Sequence, residues 1–207
     1  MKGYYFITDT GLSRGGNISD VKNALAAGVR LVQYRVKEVS TRTMLAEAAE
    51  LKKLCQGAIF LVNDRVDVAL AVDADGVHLG QEDLPYELAR ELLGPDKIIG
   101  ITVGTLEEAL TAAHQGADYL GVSPIFLTRT KADAGLPTGL SLLRDIRTAV
   151  SLPLAAIGGI SLDNASDVIA AGADMICAIS EVVTHADVCA RVEEFQRLFG
   201  VAVNYQQ

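Results

Sequence analysis

The chain has 207 residues, 50% hydrophobic and 21% charged, which suits one well-filled domain and is short for two. Its 18 Lys and Arg against 26 Asp and Glu give a formal net charge of −8, and no segment is rich in Lys and Arg, so we expect no nucleic-acid partner. No apolar stretch approaches the roughly 20 residues of a membrane helix. Three widely spaced cysteines without a C-x-x-C pair indicate buried thiols in a reducing compartment. We therefore expect a cytoplasmic protein that does not use a membrane.

Short apolar runs of strand type alternate with longer segments of helical period along the chain. Eight strands are predicted, at 4–8, 31–36, 58–62, 76–79, 98–103, 119–123, 154–157 and 175–179. Helices are predicted between them, for example at 41–55, 106–115, 140–150 and 164–171, and a last helix at 186–199. Because the strands are continuously apolar, we expect burial on both faces, as in a parallel sheet covered by helices.

Three similar turns indicate a repeated strand–helix unit. Ala-Gly-Val-Arg at 27–30, Gln-Gly-Ala-Asp at 115–118 and Ala-Gly-Ala-Asp at 171–174 each follow a predicted helix and precede a predicted strand. Glycine there can adopt the left-handed conformation that ends a helix. About eight units are counted, the number that closes a (β/α)8 barrel. The sequence therefore predicts a single-domain α/β TIM barrel over residues 1–207, with an open doubly wound sheet as the alternative.

The direction of the strands separates the polar residues into two sets. In such a barrel the chemistry lies at the carboxyl ends of the strands, and the opposite rim serves stability. We therefore expect the aspartates that precede strands to stabilise the fold, namely Asp73, Asp75, Asp118 and Asp174. The polar residues that follow strands are expected to gather at one mouth.

Cationic residues follow the second predicted strand. Gln33, Arg35 and Lys37 alternate, so they share one face of an extended chain. Two cations and an amide directed inward are costly to bury without an anion. Lys131 adds a third cation in the aperiodic stretch 127–138, which we expect to be a loop over the mouth. The pattern indicates an anion site; a strand with a solvated polar end and a plain surface loop are the alternatives.

Two carboxylates follow the third and fourth predicted strands, among these cations. Asp64 and Asp83 supply the oxygen ligands that suit Mg²⁺, which takes one or two carboxylates and completes its shell with water and substrate phosphates. The alternative is a pair of structural ion pairs with Arg35 and Lys37.

A second, uncharged anion site is predicted at the last two strands. Gly158 and Gly159 let the backbone approach a ligand closely, and the amides of Ile179 and Ser180 open a turn after the eighth predicted strand. Backbone N–H groups in the last two loops of many barrels bind phosphate, although a Gly-Gly pair is often only a tight turn. No set of nucleophile, histidine and acid follows the strands, so acyl transfer is not expected. Two phosphorylated small molecules could lie side by side.

These motifs, in this order and spacing, resemble the thiamine-phosphate synthase family almost end to end. They are YFITD at 5–9, Q-x-R-x-K at 33–37, Asn63-Asp64, DGVHLGQED at 75–83, GADY at 116–119, T-x-T-K at 128–131, AIGGI at 156–160 and Ile179-Ser180. The resemblance implies a TIM-barrel transferase. It would join 4-amino-2-methyl-5-(diphosphomethyl)pyrimidine to 4-methyl-5-(2-phosphoethyl)thiazole, and release thiamine monophosphate and pyrophosphate by a dissociative, Mg²⁺-assisted mechanism.

The resemblance also implies roles for particular residues. Arg35, Lys37 and Lys131 would be the catalytic cations. The pyrimidine diphosphate would be held by Gln33, Arg35, Lys37, Asn63, Thr102 and Lys131, the thiazole phosphate by Thr128, Thr130, Gly159, Ile179 and Ser180, and Mg²⁺ by Asp64 and Asp83. Thr102 stands where serine is usual, and Glu181 would repel a nearby phosphate unless its side chain turns outward.

Two other functions remain open at this point. A thiazole tautomerase of the same superfamily keeps the thiazole site and lacks the diphosphate and metal residues. A non-catalytic sensor of phosphorylated ligands would bind them without releasing pyrophosphate. The sequence leaves the oligomeric state open, with a homodimer as one possibility.

Overall fold

The computed structural model describes residues 1–128, 130 and 135–200. Eight parallel strands close into a barrel in which each pairs with the next, and the last returns to pair with the first. The strands are β1 (Gly3–Ile7), β2 (Leu31–Tyr34), β3 (Ile59–Asn63), β4 (Gly76–Leu79), β5 (Ile98–Val103), β6 (Tyr119–Val122), β7 (Leu154–Ile157) and β8 (Met175–Cys177). The predicted (β/α)8 barrel is confirmed. Its extent to residue 207 stays a prediction, because residues 201–207 lie outside the described ranges.

Helices pack around the barrel and alternate with its strands. They are α1 (Asn17–Ala26), α2 (Thr41–Leu54), α3 (Val66–Ala71), α4 (Tyr86–Leu93), α5 (Leu106–Gln115), α6 (Gly139–Ala149), α7 (Leu162–Ala170), α8 (Ile179–Val183) and α9 (Val188–Arg197). Within the described ranges, no helix has the length and apolar character needed to cross a membrane.

Two strands end two residues earlier than the sequence predicts, and β1 and β6 end one residue earlier. The predicted second strand runs to residue 36, but β2 ends at Tyr34, and the backbone N–H of Arg35 donates to Thr8 Oγ1 (2.8 Å) instead of continuing the ladder. The predicted eighth strand runs to residue 179, but β8 ends at Cys177 because Ile179 already begins the short helix α8. The bounds of β4, β5, β7 and α5 agree with the prediction.

The buried apolar side chains form two clusters, one on each side of the barrel wall. The larger cluster lies between the strands and the surrounding helices. The smaller one fills the barrel interior and consists of Tyr5, Ile7, Leu31, Leu61, Tyr119, Ala155, Met175 and Cys177. The interior is therefore a packed core, as expected for eight strands, and a cavity can form only above it.

Side-chain acceptors hold the amino-terminal rim of the barrel. A backbone N–H near the start of each odd-numbered strand donates to one of them. The pairs are Tyr4 to Gln196 Oε1 (3.0 Å), Phe60 to Asp75 Oδ2 (2.7 Å), Ile99 to Asp118 Oδ2 (2.8 Å) and Leu154 to Asp174 Oδ2 (2.9 Å). Buried backbone donors without a partner are costly, so these side chains stabilise strand ends that the ladder alone leaves incomplete.

The three aspartates of this rim each pair with a cation as well. Asp75 pairs with Lys52 (2.8 Å), Asp118 with Arg90 (2.8 Å) and Asp174 with Arg147 (2.9 Å), each cation coming from the helix that follows an even-numbered strand. Asp73 makes a more exposed ion pair with Lys97. All four aspartates thus lie on the rim where the sequence predicts a structural role.

Replacing Asp174 with Ala tests the structural role of this rim. The change leaves the Leu154 N–H and the Arg147 guanidinium without this partner, so we expect the free energy of unfolding to fall by about 1–3 kcal/mol in urea titrations. The control is Asp73→Asn, which removes the charge of an exposed ion pair, keeps a residue type that tolerates the positive φ of position 73, and should change stability little. A loss of stability in Asp174→Ala no larger than the loss in Asp73→Asn would contradict this role.

Candidate active site

A cavity of about 500 Å³ opens at the carboxyl ends of the strands. Twelve of the thirteen residues singled out from the sequence line it. They are Gln33, Arg35, Lys37, Asn63, Asp64, Asp83, Thr102, Thr128, Thr130, Gly159, Ile179 and Ser180. The thirteenth, Lys131, lies outside the described residues, so its predicted place over the mouth stays a prediction.

Arg35 is held in place by the segment that follows β1. Its backbone N–H donates to Thr8 Oγ1, and the Thr8 hydroxyl donates to the carbonyl oxygen of Arg35 (3.0 Å). Its Nη1 donates to Asp9 Oδ2 (2.9 Å), while Asp9 Oδ1 accepts from the N–H groups of Gly11 (3.1 Å) and Leu12 (3.2 Å). The guanidinium is therefore almost buried and oriented before any ligand arrives, which lowers the cost of ordering it on binding.

Lys37, Asn63 and Asp64 line the cavity beside Arg35. Lys37 is exposed and Asp64 is half-buried. Asp64 adopts a φ of 62°, a left-handed conformation uncommon outside glycine, although aspartate tolerates it better than most residues. Its N–H donates to the carbonyl oxygen of His78 (2.9 Å), which ties the end of β3 to β4.

Asp83 closes a tight loop after β4. Its Oδ2 accepts from the Gly80 N–H (2.6 Å), and its own N–H donates to the Gly80 carbonyl oxygen (3.3 Å). The other carboxylate oxygen, Oδ1, has no hydrogen-bond partner in the described part of the chain. The loop thus orients the carboxylate and leaves one oxygen for a ligand.

The donors at this end fit Mg²⁺. Asp64 and Asp83 follow neighbouring strands, are half-buried and line the same cavity. The residues with described positions contain no group of three His, Cys, Asp or Glu side chains that could hold a metal. A cation here would therefore need water and substrate oxygens to complete its shell, which is typical of Mg²⁺.

Hydrogen-bonded polar side chains cross the floor of the cavity. Gln33 Nε2 donates to Tyr5 Oη (2.5 Å), and Tyr5 Oη lies 2.7 Å from Tyr119 Oη. Tyr119 Oη lies 2.7 Å from His78 Nδ1, and His78 Nε2 lies 2.8 Å from Thr102 Oγ1. Two residues expected to bind the pyrimidine, Gln33 and Thr102, are thereby the ends of one hydrogen-bonded chain.

Two glycines make room for the rings of this chain. A Cβ at Gly100 would lie 2.1 Å from the Tyr119 ring, and a Cβ at Gly121 would lie 2.8 Å from His78 Cε1. The His78 and Tyr119 rings stack with centroids 5.4 Å apart. The rings are therefore packed into slots between strands and have little freedom to turn.

The late-strand end of the cavity is built mainly from backbone. Gly159 has a φ of 63°, and a Cβ there would lie 2.6 Å from the Leu127 carbonyl oxygen, so a side chain at this position would collide with the loop after β6. That loop is held against β7, because the Phe126 N–H donates to the Gly158 carbonyl oxygen (3.0 Å). The arrangement places Thr128 and Thr130 at the cavity wall.

The first residues of helix α8 also line the late-strand end of the cavity. Within the described residues, the N–H groups of Ile179 and Ser180 have no acceptor, as is usual for the first turn of a helix. The Glu181 carboxylate points toward α9, with Oε2 3.9 Å from Arg191 Nη1, and Glu181 does not line the cavity. The repulsion that this glutamate would otherwise cause is therefore avoided by its outward orientation.

Cys177 lines the cavity, and its thiol is not activated as a nucleophile. It is 2% exposed, and burial raises the pKa of its thiol well above the usual range. A protonated thiol is a weak nucleophile. This agrees with the sequence-based expectation that acyl transfer is not the chemistry of the site.

Several residues that build the site were not predicted from the sequence. Asp9 orients Arg35, and its only signal was its place in the 5–9 motif. Tyr5 and Tyr119 look like ordinary apolar strand residues, so nothing in the sequence marked their hydroxyl groups as partners. His78 lies in the 75–83 motif, and the structure places it in the cavity wall.

Comparisons with known proteins agree over nearly the whole chain. The "Thiamine-phosphate synthase" of Methanosarcina barkeri is 54% identical over 193 residues, covering 93% of this chain and 88% of the relative. The protein of the same name from Chloroflexus aurantiacus is 52% identical over 200 residues, covering 95% of this chain and 92% of the relative.

A solved structure and a family match point the same way. The "Thiamine phosphate pyrophosphorylase" of Pyrococcus furiosus superposes with a TM-score of 0.88 at 44% identity, covering 96% of this chain and 95% of that one. The sequence model described as "Thiamine monophosphate synthase" matches residues 4–182. The chain therefore belongs to the thiamine monophosphate synthase family.

Proposed function

We propose that this chain is a transferase that condenses the pyrimidine methyl diphosphate with the thiazole ethyl phosphate to give thiamine monophosphate and pyrophosphate. The observation that carries the proposal is the single cavity with two different ends. Cations and carboxylates line the end at β2 to β4, and backbone N–H groups with hydroxyls line the end at β6 to β8. Such a cavity suits two phosphorylated molecules whose reacting atoms meet between the two ends.

The cations would act on the leaving pyrophosphate. In the dissociative mechanism the bond from the pyrimidine methylene carbon to the diphosphate oxygen breaks first, so negative charge grows on the leaving group. Arg35 and Lys37, with Lys131 from the loop, would stabilise that charge. The Asp9 contact supports this role, because it holds the Arg35 guanidinium in a fixed direction without filling its other N–H donors.

Asp64 and Asp83 would hold Mg²⁺ at the same end. When bound there, Mg²⁺ supplies further neutralisation of the diphosphate charge. Two observations support this assignment: Asp83 Oδ1 has no hydrogen-bond partner among the described residues, and both carboxylates are half-buried.

The methylene cation that remains on the pyrimidine would be captured by the thiazole nitrogen. This step needs no protein nucleophile, which agrees with the raised pKa of the Cys177 thiol. The site must instead exclude water and hold the thiazole against the cation. The thiazole phosphate would be bound by Thr128, Thr130, Gly159, Ile179 and Ser180. The N–H groups of Ile179 and Ser180, which have no acceptor in the described part of the chain, would donate to it directly.

The cellular compartment and the oligomeric state of the protein belong to the same proposal. We place the activity in the cytoplasm, since Cys55, Cys177 and Cys189 are free thiols. Measurements of mass in solution would decide between a monomer and the homodimer.

The test of the function is a two-substrate assay. Purified protein is incubated with both phosphorylated precursors and Mg²⁺, and pyrophosphate and thiamine monophosphate are measured. We expect equal amounts of the two products. Binding of the precursors without pyrophosphate would indicate the sensor instead, and isomerised thiazole without pyrophosphate would indicate the tautomerase.

Replacing Asp83 with Asn tests the metal assignment. Asparagine keeps an oxygen for the Gly80 N–H but loses the charge, so the loop should persist while turnover falls by about 10²–10³-fold. Calorimetry should show unchanged binding of the thiazole phosphate, because that site lies at the other end of the cavity. The control is Asp73→Asn at the opposite rim. Turnover of Asp83→Asn equal to that of the control would refute the assignment.

A further inference from the structure

The hydrogen-bonded chain on the cavity floor joins residues from five strands. It runs from Gln33 on β2 through Tyr5 on β1, Tyr119 on β6 and His78 on β4 to Thr102 on β5. Four of these residues line the cavity, whereas Tyr119 does not and can reach a ligand only through its neighbours. The role of Tyr119 is therefore separable from direct binding.

The number of hydrogens gives this chain a direction. Gln33 Nε2 can only donate, so Tyr5 Oη accepts from it and has one proton to give. That proton goes to Tyr119 Oη, which in turn donates to His78 Nδ1. In the opposite assignment Tyr5 would accept from both neighbours, and its own proton would have no acceptor among the residues the structure describes. Buried hydroxyl donors are rarely left in that state.

The direction determines what the two ends offer a ligand. Because His78 Nδ1 accepts in this arrangement, a ring with one proton carries it on Nε2 and donates it to Thr102 Oγ1. The Thr102 hydroxyl then has its own proton to donate into the cavity. At the other end Gln33 Nε2 is occupied, and its Oε1 accepts no hydrogen bond from any described residue. The cavity wall thus presents an acceptor at Gln33 and a donor at Thr102.

We propose that Tyr5, Tyr119 and His78 form a one-way positioning relay that selects an aminopyrimidine ring by its hydrogen-bonding pattern. An exocyclic amino group donates to Gln33 Oε1, and a ring nitrogen accepts from the Thr102 hydroxyl. A ring with a carbonyl in place of the amino group is rejected, because its carbonyl oxygen and Gln33 Oε1 are both hydrogen-bond acceptors. This inference rests on the proposed function, since it concerns the orientation of the pyrimidine substrate.

The surroundings keep the relay in one state. Burial raises the pKa of the Tyr5 and Tyr119 phenols, so both stay protonated and each contributes one hydrogen. The absence of side chains at Gly100 and Gly121 lets the Tyr119 and His78 rings fit tightly between strands. Reversing the relay would require the Gln33 amide to turn over and the hydrogens of Tyr5, Tyr119, His78 and Thr102 to change partners together.

The histidine tautomer tests the relay without any turnover. In protein labelled with ¹⁵N-histidine, long-range proton–nitrogen spectra distinguish protonated from unprotonated ring nitrogens, and loss of one set of signals in His78→Gln assigns His78. We expect wild-type His78 to carry its proton on Nε2 and to have an unprotonated Nδ1. Protonation at Nδ1 would overturn the direction of the relay.

Substrate selectivity tests its effect on the ligand. Tyr119→Phe keeps the ring but removes the hydroxyl that links Tyr5 to His78. The Gln33 amide and the Thr102 hydroxyl can then exchange their acceptor and donor roles toward a ligand. Its selectivity for the 4-amino over the 4-oxo pyrimidine diphosphate, measured as a ratio of kcat/KM values, should fall by about 10-fold or more relative to wild type. The KM for the thiazole phosphate should stay unchanged, because its site lies at the other end of the cavity.

Tyr34→Phe is the matched control. Tyr34 is also a fully buried strand tyrosine whose hydroxyl makes a hydrogen bond, to Glu47 Oε2 (2.6 Å), but it does not line the cavity. We expect its selectivity to equal that of wild type. Equal selectivity in Tyr119→Phe and Tyr34→Phe would overturn the relay. Failure of the proposed function has a different signature, namely no pyrophosphate from the wild type, and the histidine spectra would then still decide the direction of the relay.

Discussion

The site depends on the parallel direction of the eight strands. In a closed parallel barrel all carboxyl ends lie on one rim, so the loops after β2 and β8 face the same cavity although they lie far apart in the sequence. The same constraint sends Asp75, Asp118 and Asp174 to the other rim, where their carboxylates accept from strand N–H groups and pair with helix cations. Because the fold is held there, the mouth can carry polar groups that stability does not require.

The two ends of the cavity differ in the groups that they present to a ligand. Near β2 the cavity offers full charges, with Arg35 oriented by Asp9. Near β8 it offers dipoles, in the N–H groups that begin α8. Two phosphorylated molecules repel each other, and the repulsion falls with distance, so separate ends suit their simultaneous binding. The floor between the ends carries hydroxyl, amide and imidazole groups, which can orient a ring through hydrogen bonds.

How much the sequence predicts depends on how local the deciding interaction is. Glycine-ended turns and continuous apolar runs indicate the barrel and most strand positions, because each signal lies within a few residues. The predicted end of the eighth strand was wrong, because the apolar run through Ile179 has no residue that marks the change from strand to helix. The contact of Arg35 with Asp9 joins residues 26 apart, and that of Tyr5 with Tyr119 joins residues 114 apart. Such contacts follow from strand register and side-chain direction, which no local pattern contains.

The most direct test of the account is a crystal structure of the wild-type protein with both products, thiamine monophosphate and magnesium pyrophosphate. The account predicts pyrophosphate against Arg35 and Lys37, with the metal on Asp64 and Asp83. It predicts the phosphate of thiamine monophosphate at Gly159, Ile179 and Ser180. Both anions at one end of the cavity, or either one outside it, would contradict the account.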